Sequence, residues 1–398
     1  MRIAIITTDY QPLRSSGAVQ MRDLAREFLR QGHEPILLVP ANTQHCAWRT
    51  ESLDGVCVLR LAAPRIKEVS HFRRAVGEIW MPFQMLYGIW RSGFCFDEWD
   101  AVVWNSPSIF FGPLVAVLKC RSRCRTYLIQ RDMFPEWLLD LGLLRRGPAY
   151  YFFKCVAFYQ YGLADTIGVQ TASNLSYFQY WTKRDAKRVE VLANWLTVAP
   201  LAGSTIQIDQ TSLAGRTILI YIGNMGIAQG MDILIELAHS LRMRSDVGFL
   251  FVGRGTDLPR LRTNAIGLGL DNILFHPEVD PGELPALLAQ CHVGLLALDP
   301  RHKSHNIPGK FLTYMQAGLP VLARINPDTD LEGIIDLHAV GHTYNGMSVD
   351  EMRPIAELLI DDLAGRQQMS VRARALSEQM FSSMRAVNQI IGALCPTQ

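Results

Sequence analysis

Short apolar runs alternate with amphipathic helical segments along almost the whole chain, and this alternation limits the folds that the chain can adopt. The first apolar run covers residues 2–7. It is followed by Met21, Leu24, Ala25 and Phe28, which have the i, i+3, i+4, i+7 spacing of one helix face. Strands that alternate with helices pair in parallel, because each helix carries the chain back to the same end of the sheet. We therefore predict an α/β protein with doubly wound parallel sheets.

The predicted strands fall into two groups, one in each half of the chain. The first group is 2–7, 35–39, 56–61, 101–104, 126–130, 166–170 and 189–192, and the second is 217–222, 247–252, 272–276, 292–298 and 319–322. The polar stretch 203–215 is predicted to be a linker. A chain of 398 residues exceeds what one hydrophobic core usually serves. We expect two Rossmann-like domains facing a central cleft, at 1–200 and 201–378, with a C-terminal helix over 379–398 that crosses back to the first.

The two halves of the chain carry opposite charge. Residues 1–196 contain 24 Lys and Arg against 17 Asp and Glu, a balance of +7, whereas residues 197–398 contain 15 against 20, a balance of −5. No apolar stretch reaches the roughly 18 to 20 residues of a membrane-spanning helix, and no signal-peptide pattern is visible. The eight cysteines lack the paired spacing of a zinc site, so we expect reduced thiols and a cytoplasmic location.

The segment His71–Phe96 combines many aromatic and aliphatic side chains with few charges. Basic residues cluster near it and further along the first half, at Arg65, Lys67, Arg73, Arg74, Lys119, Arg121, Arg123, Arg125, Arg145, Arg146 and Lys154. A basic, aromatic surface suits an anionic lipid leaflet or an anionic lipid-linked substrate. Two other interpretations stay open. One is a nucleic-acid surface, although no nucleic-acid module is found; the other is ordinary core with a solvated rim of Arg.

The stretch Ser304–Ala323 predicts a loop that opens a helix near Pro308, a helix end at Gly318 and then a buried strand. A helix start of this kind offers free backbone N–H groups and the positive end of the helix dipole. The ammonium of Lys310 would add a full charge at the same point. We therefore predict an anion site suited to a diphosphate. An ordinary helix-to-strand turn is the alternative.

The same stretch reads P-x-K-x-x-x-Y-M-x-x-G-x-P-V and resembles the donor-binding segment of the family 4 retaining glycosyltransferases, which have the GT-B fold. The resemblance continues through most of the chain. Its other segments are Tyr10-Gln11-Pro12 with Ser16-Gly17, Arg131-Asp132-x-x-Pro135-Glu136, Val191-Leu192-x-Asn194, Gly223-Asn224-x-Gly226-x-x-Gln229-Gly230 and Gly253-Arg254-Gly255. The 131–136 segment is similar to that of bacterial cell-envelope sugar transferases. The 223–230 segment resembles a branch of the family that transfers deoxy or N-acetylamino sugars in surface-polysaccharide (O-antigen or lipopolysaccharide) assembly.

The resemblance implies a metal-independent transfer, without a cofactor, from a nucleotide-sugar donor, in this branch a UDP-sugar, to a lipid-linked or lipopolysaccharide-type acceptor. It implies that the peripheral enzyme acts on the inner face of the cytoplasmic membrane. Lys310 and Arg254 would stabilise the leaving diphosphate, and Asp132 or Glu136 would take the acceptor proton. The donor would contact Ser16, Gly17, Gly223, Asn224, Gln229, His305, Asn306, Pro308, Gly309 and Thr313.

A nicotinamide enzyme is disfavoured. Its G-x-G-x-x-G motif would begin at Gly253 and Gly255, but Leu258 occupies the third glycine position.

The chain also departs from the family pattern. His305 and Thr313 stand where the family has two glutamates, and Asn224 and Gln229 stand where it has Arg and Lys. The second glutamate usually holds the donor ribose, so Thr313 is expected to do so more weakly. Two alternatives to the transferase therefore stay open. One is a GT-B enzyme that hydrolyses or epimerises a nucleotide sugar, and the other is a non-catalytic protein that binds one.

Overall fold

The computed structural model describes residues 1–8, 10–11, 15–41, 46–66, 70–94, 98–140, 142, 144–184, 187–197, 202–226, 229–299, 306–327 and 329–395. The chain forms two compact units. The first comprises Met1–Trp195 together with Ser383–Gln398, and the second comprises Leu196–Ser382.

The first unit is built on a sheet whose strands are β1 (Arg2–Ile6), β2 (Glu34–Ala41), β3 (Trp48–Leu53), β4 (Val56–Ala62), β5 (Ala101–Asn105), β6 (Arg125–Gln130), β7 (Thr166–Val169) and β8 (Arg188–Val191). Hydrogen bonds order them β3-β4-β2-β1-β5-β6-β7-β8. All neighbours are parallel except β3 and β4, which are antiparallel. Because β1 lies between β2 and β5, the strand order reverses beside the first strand of the chain.

Helices cover both faces of this sheet. Numbered in chain order, they are α1 (Ser16–Arg30), α2 (His71–Ser92), α3 (Gly112–Ser122), α4 (Glu136–Asp140), α5 (Pro148–Leu163), α6 (Gln179–Arg184) and, from the C-terminal segment, α14 (Ser383–Leu394). One core contains Leu24 and Phe28 of α1 and Val387 of α14, packed on Ile3 and Ile5 of β1. The core on the other face is formed with α2, α3 and α5. The inner strands β1, β2, β5, β6 and β7 are therefore largely buried on both sides, as in other parallel sheets, whereas the edge strands β3 and β8 are partly exposed.

The second unit has a six-stranded parallel sheet with the order β11-β10-β9-β12-β13-β14. Its strands are β9 (Thr217–Asn224), β10 (Val247–Arg254), β11 (Ile273–His276), β12 (Val293–Ala297), β13 (Val321–Arg324) and β14 (Gly341–Tyr344). Its helices are α7 (Asp232–Ser240), α8 (Leu258–Gly267), α9 (Leu284–Leu288), α10 (Gly309–Ala317), α11 (Asp330–His338), α12 (Val349–Asp361) and α13 (Leu363–Met380). Its core lies between the sheet and these helices, with Leu219, Tyr221, Phe249 and Leu295 at the centre.

The predicted fold class, two domains with parallel sheets, is confirmed, and three details of the sequence analysis are corrected. Strand β3 was missed because its polar sequence is mostly accessible, and β14 was missed because it is short and contains Gly341 and His342. The stretch 203–215 is not a linker. It belongs to the second unit, where Ile206, Ile208 and Leu213 are buried. No described helix is long and apolar enough to span a bilayer.

Candidate functional site

The candidate site begins at the carboxyl edge of the second sheet, where β9 and β12 separate. Strand β9 lies between β10 and β12, so the strand order reverses between β9 and β12. Beyond their short paired region, the Tyr314 side chain of α10 fills the gap. Its hydroxyl accepts a hydrogen bond from the Ile222 N–H at 3.1 Å and lies 3.1 Å from the Ile220 carbonyl oxygen and 3.2 Å from that of Leu295. Open α/β sheets bind ligands in the crevice at such a reversal.

Gly294 of β12 allows α10 to approach the sheet closely. A Cβ atom on Gly294 would lie 2.6 Å from the ring of Tyr314, a distance that side chains do not tolerate. The glycine therefore seats Tyr314, which is fully buried. Through Tyr314, the first turns of α10 are held against the carboxyl ends of β9 and β12.

The start of α10 has the geometry of an anion site. Pro308 is the N-cap residue, with extended backbone and no side-chain capping bond, and Gly309 and Lys310 form the first turn. The Phe311 N–H donates to the Pro308 carbonyl oxygen at 3.0 Å, whereas the N–H groups of Gly309 and Lys310 have no partner within the helix. Gly318 ends the helix in the left-handed region at φ 74°. The predictions of a helix start at Pro308 and a helix end at Gly318 are confirmed.

Lys310 is the only positive side chain of α10 and lies over the face of Tyr221 in β9. Its Nζ atom is 3.7 Å from the ring centroid, a cation–π distance. The residue keeps some solvent contact, yet the surrounding protein is dense, and burial lowers the pKa of the ammonium from 10.5 to about 7. Within the described part of the chain, Lys310 forms no ion pair. An incoming anion would therefore supply the charge partner that the protein does not.

The loop after β9 lies next to this lysine. The Tyr221 hydroxyl donates to the Asn224 carbonyl oxygen at 2.8 Å, so the aromatic ring under Lys310 also holds the end of β9. The side-chain amide of Asn224 donates to Gln229 Oε1 at 3.2 Å, and the Gly226 N–H donates to the same oxygen at 2.9 Å. Asn224 and Gln229 therefore form one hydrogen-bonded loop structure at the position where the family resemblance expects two cations.

Arg254 stands at the end of β10, opposite Asn224 in the strand register. Its side chain is well exposed and forms an ion pair with Glu278, with Nε 3.2 Å from the carboxylate. Such an exposed ion pair contributes little to the free energy of unfolding, so another anion can replace Glu278 as the partner of Arg254. Arg254 thus lies at the same sheet edge as Asn224, but it already has a carboxylate partner.

Thr313 lies one turn after Lys310 on the same side of α10, because residues three apart are neighbours on a helix. Its hydroxyl donates to the Gly309 carbonyl oxygen at 3.3 Å, a bond within the helix. Asn306 lies two residues before the N-cap residue Pro308 and is partly buried. His305 lies outside the described residues.

Three buried polar residues at this edge were missed by the sequence analysis. Asp299 follows β12, Arg324 ends β13 and Asn326 follows it, each less than one-tenth exposed. Arg324 donates through Nη1 to the Leu298 carbonyl oxygen, and burial lowers its pKa. Polar residues directly after predicted strands were the signal that could have identified them.

The remaining sequence-predicted residues lie in the first unit. Ser16 and Gly17 open α1, but the residue that caps it is Ser15, whose Oγ accepts from the Ala18 N–H at 3.2 Å. Asp132 follows β6, where its carbonyl oxygen accepts from Gln130 Nε2 at 2.5 Å. Ser16 and Gly17, the predicted donor contacts, therefore belong to a different unit from Lys310. The same is true of Asp132 and Glu136, the predicted proton acceptors.

Glu136 and Arg131 add charge near the end of β6. Glu136 lies 3.4 Å from Lys154 Nζ and also accepts a long hydrogen bond from the Tyr150 hydroxyl at 3.5 Å. Arg131 is part of the 131–136 segment of the family resemblance, but the sequence analysis assigned it no role. It donates to the Leu192 carbonyl oxygen at 3.0 Å and stacks 4.7 Å over Trp195, and burial lowers its pKa to about 10. Among the described residues, no cluster of three His, Cys, Asp or Glu side chains could hold a metal ion.

Comparison with protein families and curated proteins supports a glycosyltransferase. Residues 216–356, which include the whole candidate site of the second unit, match the family model of the glycosyl transferases group 1. Over 318 residues the chain is 26% identical to WcaI of Escherichia coli strain K12, described as a colanic acid biosynthesis glycosyl transferase, covering 74% of this chain and 76% of WcaI. Over 219 residues it is 23% identical to WbjE of Pseudomonas aeruginosa, described as a glycosyltransferase, covering 54% of each chain.

Solved structures show the same fold over the whole chain. HepE of Anabaena in complex with UDP-glucose matches with a TM-score of 0.66 and 15% identity, covering 99% of both chains. WaaG, a glycosyltransferase involved in lipopolysaccharide biosynthesis, matches with a TM-score of 0.65 and 15% identity, covering 99% of this chain and 100% of WaaG. The chain therefore has the GT-B fold that the sequence analysis predicted.

Proposed function

We propose that this protein is a retaining glycosyltransferase that uses a nucleotide-sugar donor, and that the donor diphosphate binds at the start of α10. The observation that carries the proposal is Lys310, a desolvated ammonium at a helix start with no ion-pair partner among the described residues. A diphosphate would complete this site, because it brings two negative groups to a cation and to free N–H donors. The family-model match over the same residues supports the proposal.

The proposed reaction transfers the sugar to an acceptor hydroxyl. The bond between the anomeric carbon and the diphosphate oxygen breaks, a bond to the acceptor oxygen forms with retention, and the acceptor proton is released. Negative charge grows on the leaving diphosphate, where Lys310 and the first turn of α10 would stabilise it without a metal ion. Arg254 would add a second cation after exchange of its Glu278 partner. We assign the acceptor proton to Asp132 or Glu136, each close to the end of β6.

For the substrates we propose a UDP-linked N-acetylated or deoxy sugar and a lipid-linked or lipopolysaccharide-type acceptor at the inner face of the cytoplasmic membrane. The likeness to WcaI and the resemblance of residues 131–136 and 223–230 to the surface-polysaccharide branch support this choice. HepE, which has the same fold, binds UDP-glucose. Exposed aromatic side chains on α2 support action at a membrane surface.

Thr313 favours one alternative, a protein that binds a nucleotide sugar without transferring it. Its hydroxyl donates a hydrogen bond within the helix, so it offers the donor ribose fewer and weaker hydrogen bonds than a carboxylate would. Hydrolysis or epimerisation of the nucleotide sugar is the other alternative. Both differ from transfer in their products.

The first experiment is a screen of nucleoside diphosphates and UDP-sugars for thermal stabilisation. A ligand at 100 times its dissociation constant adds roughly 2.7 kcal/mol to the free energy of unfolding. The stabilising UDP-sugar is then incubated with membrane lipid extract, and sugar incorporation is measured. Transfer into lipid supports the proposal, release of free or epimerised sugar supports a hydrolase or epimerase, and binding without turnover supports the non-catalytic alternative. No stabilisation by any nucleotide would exclude all three.

A further inference from the structure

Helices α2, α3 and α5 lie side by side over one face of the first sheet, with α3 between the other two. Their inner residues, including Met81, Met85, Leu114 and Ala157, are buried in one core. Helices α1 and α14 cover the opposite face of the sheet. The side of these three helices that faces away from the sheet is not covered by α1 or α14. We call it the α2–α3–α5 surface.

Helix α5 has an outer face without charge. Pro148, Tyr151, Phe152, Cys155 and Tyr159 are all exposed, and their spacing is that of one helix face. The only charged residue of α5, Lys154, is directed toward Glu136, 3.4 Å away. A helix of 16 residues is about 24 Å long, so this uncharged face is extended.

Aromatic side chains continue across the α2–α3–α5 surface. Seven of them are between 47% and 57% exposed, and they are Trp80, Phe83, Tyr87 and Trp90 on α2 and Tyr151, Phe152 and Tyr159 on α5. Val117 on α3, between the two groups, is 36% exposed. Single exposed apolar residues are normal on protein surfaces, but a contiguous group of large ones marks an interaction surface.

The charge of these helices indicates the partner. The three helices contain six basic residues and one acidic residue, and these are Arg73, Arg74, Arg91, Lys119, Arg121 and Lys154 against Glu78. Three of these basic residues are ion-paired: Arg74 with Glu78 at 2.9 Å, Lys119 with Asp165 at 2.8 Å and Lys154 with Glu136 at 3.4 Å. The positive charge of the outer side comes mainly from Arg73, Arg91 and Arg121, which are all exposed. Arg145 and Arg146, just before α5, are also exposed. Basic side chains around Trp and Tyr match the headgroup region of an anionic membrane, where aromatic rings sit at the interface and cations meet lipid phosphates.

We infer that the α2–α3–α5 surface docks on an anionic lipid bilayer, with α5 as a second contact helix beside α2. The inference rests on the proposed action at a membrane and specifies the surface that would provide it. The contact would be peripheral, with the rings of both helices inserted at headgroup depth and the sheet lying above them. Docking through α2 alone would leave the uncharged face of α5 in water.

Cysteines already present in the chain can test the inference. Cys120 of α3 and Cys155 of α5 are exposed on the α2–α3–α5 surface, whereas Cys395 is exposed directly after α14, on the opposite side of the sheet. The wild-type protein is treated with a water-soluble maleimide, and alkylation of each cysteine is followed by peptide mass spectrometry. Vesicles of phosphatidylglycerol and phosphatidylethanolamine should slow alkylation of Cys120 and Cys155 several fold and leave Cys395 unchanged.

Three results would overturn the inference: equal alkylation of the three cysteines with and without vesicles, equal protection by purely zwitterionic vesicles, or protection of Cys155 by higher protein concentration without lipid. The last would identify a second copy of the chain as the occupant.

The double variant Tyr151→Ser/Phe152→Ser should bind anionic vesicles several fold more weakly than wild type. Leu337→Ser is the matched control, because Leu337 is 81% exposed but lies in the second unit.

The docking inference and the proposed function fail separately. Thermal stabilisation by UDP-glucose is measured on the same preparations without lipid. Stabilisation without cysteine protection would reject the docking surface and keep the nucleotide site. Protection of the cysteines without thermal stabilisation by any nucleotide would keep the docking surface and reject the nucleotide site.

Discussion

Lys310 is the residue on which the proposed chemistry depends most directly. Replacing Lys310 with Ala should lower turnover about a hundredfold or more, the scale seen when one group that stabilises transition-state charge is removed. The fold should survive, because the substitution removes little structural support beyond the cation–π interaction with Tyr221. Initial-rate kinetics measure the effect, and Lys183→Ala, at an exposed position of α6, is the control. Equal rates for wild type and Lys310→Ala would remove Lys310 from the mechanism.

The lowered pKa of Lys310 predicts a pH dependence of donor binding. Burial holds the pKa at about 7 in the free protein, so the ammonium loses its charge as pH rises through that value. A bound diphosphate would raise this pKa, and binding above pH 7 therefore requires uptake of a proton. The dissociation constant of UDP-glucose should rise roughly tenfold per pH unit once the pH is well above 7.

Calorimetry in buffers of different ionisation enthalpy measures the proton uptake directly. UDP-glucose is a suitable probe because its diphosphate has no terminal phosphate that titrates near neutral pH. In Lys310→Arg the guanidinium stays charged, so proton uptake should disappear.

The lowered pKa of Lys310 also affects the pH dependence of folding. The unfolded chain holds this proton up to about pH 10.5, so the destabilisation caused by burying Lys310 is full below pH 7 and declines between pH 7 and 10.5.

Thr313 should limit affinity for the donor ribose. A carboxylate can accept two charge-assisted hydrogen bonds, whereas the threonine hydroxyl offers one neutral partner, a difference of about 1 to 2 kcal/mol. Thr313→Glu should therefore bind the cognate nucleoside diphosphate several fold more tightly, with a larger gain for the ribo than for the 2′-deoxy form. Calorimetric titration of both nucleotides into both proteins tests this. Identical affinities throughout would show that position 313 does not contact the donor.

At the scale of elements, the packing of α10 against β12 holds the start of α10 in position. A Cβ atom on Gly294 would lie 2.6 Å from the Tyr314 ring. Gly294→Ala should therefore lower the free energy of unfolding by about 1 to 3 kcal/mol, the usual effect of overpacking a core. It should also weaken nucleotide binding, because α10 would shift.

Gly333→Ala is the matched control for this substitution. Gly333 lies within α11, and apart from its chain neighbours and the backbone of its own helix no described atom lies within 4 Å of a Cβ built on it. Alanine there should stabilise the protein by roughly 0.5 to 1 kcal/mol, since it restricts the unfolded chain. Chemical denaturation of both variants gives the comparison. An unchanged midpoint for Gly294→Ala would mean that Tyr314 can move aside without cost.

At the scale of the whole molecule, the uneven charge predicts salt-dependent binding to membranes. The first half has a balance of +7 and the second a balance of −5, and Arg385, in the C-terminal segment that belongs to the first unit, adds one more positive charge there. The two units should therefore not attract an anionic surface equally. Sedimentation with anionic vesicles should deplete the protein from solution, and added salt should release part of it as surface charges are screened. Equal sedimentation with neutral and anionic vesicles would contradict an electrostatic contribution.

Features set by neighbouring residues could be predicted from the sequence, whereas features set by residues distant in the chain could not. Pro308, Lys310 and Gly318 were interpreted correctly because a helix start and end are set by a few neighbouring residues. Arg324 was missed and Arg131 was assigned no role, since what distinguishes both is burial by residues distant in the chain. The roles of Ser16, Asp132 and Glu136 remain proposals. Glu136 has a structural partner, Lys154, that its local sequence does not reveal.

The sequence by itself determined the fold class, because alternating apolar runs and amphipathic segments bury themselves only in helix-covered parallel sheets. It also determined where α10 starts and ends. Only the tertiary structure decided the strand order, and with it the gap between β9 and β12 that Tyr314 fills. It likewise decided that Lys310 lies over Tyr221. Periodicity specifies which face of an element is buried, but the neighbour it meets depends on packing between distant segments.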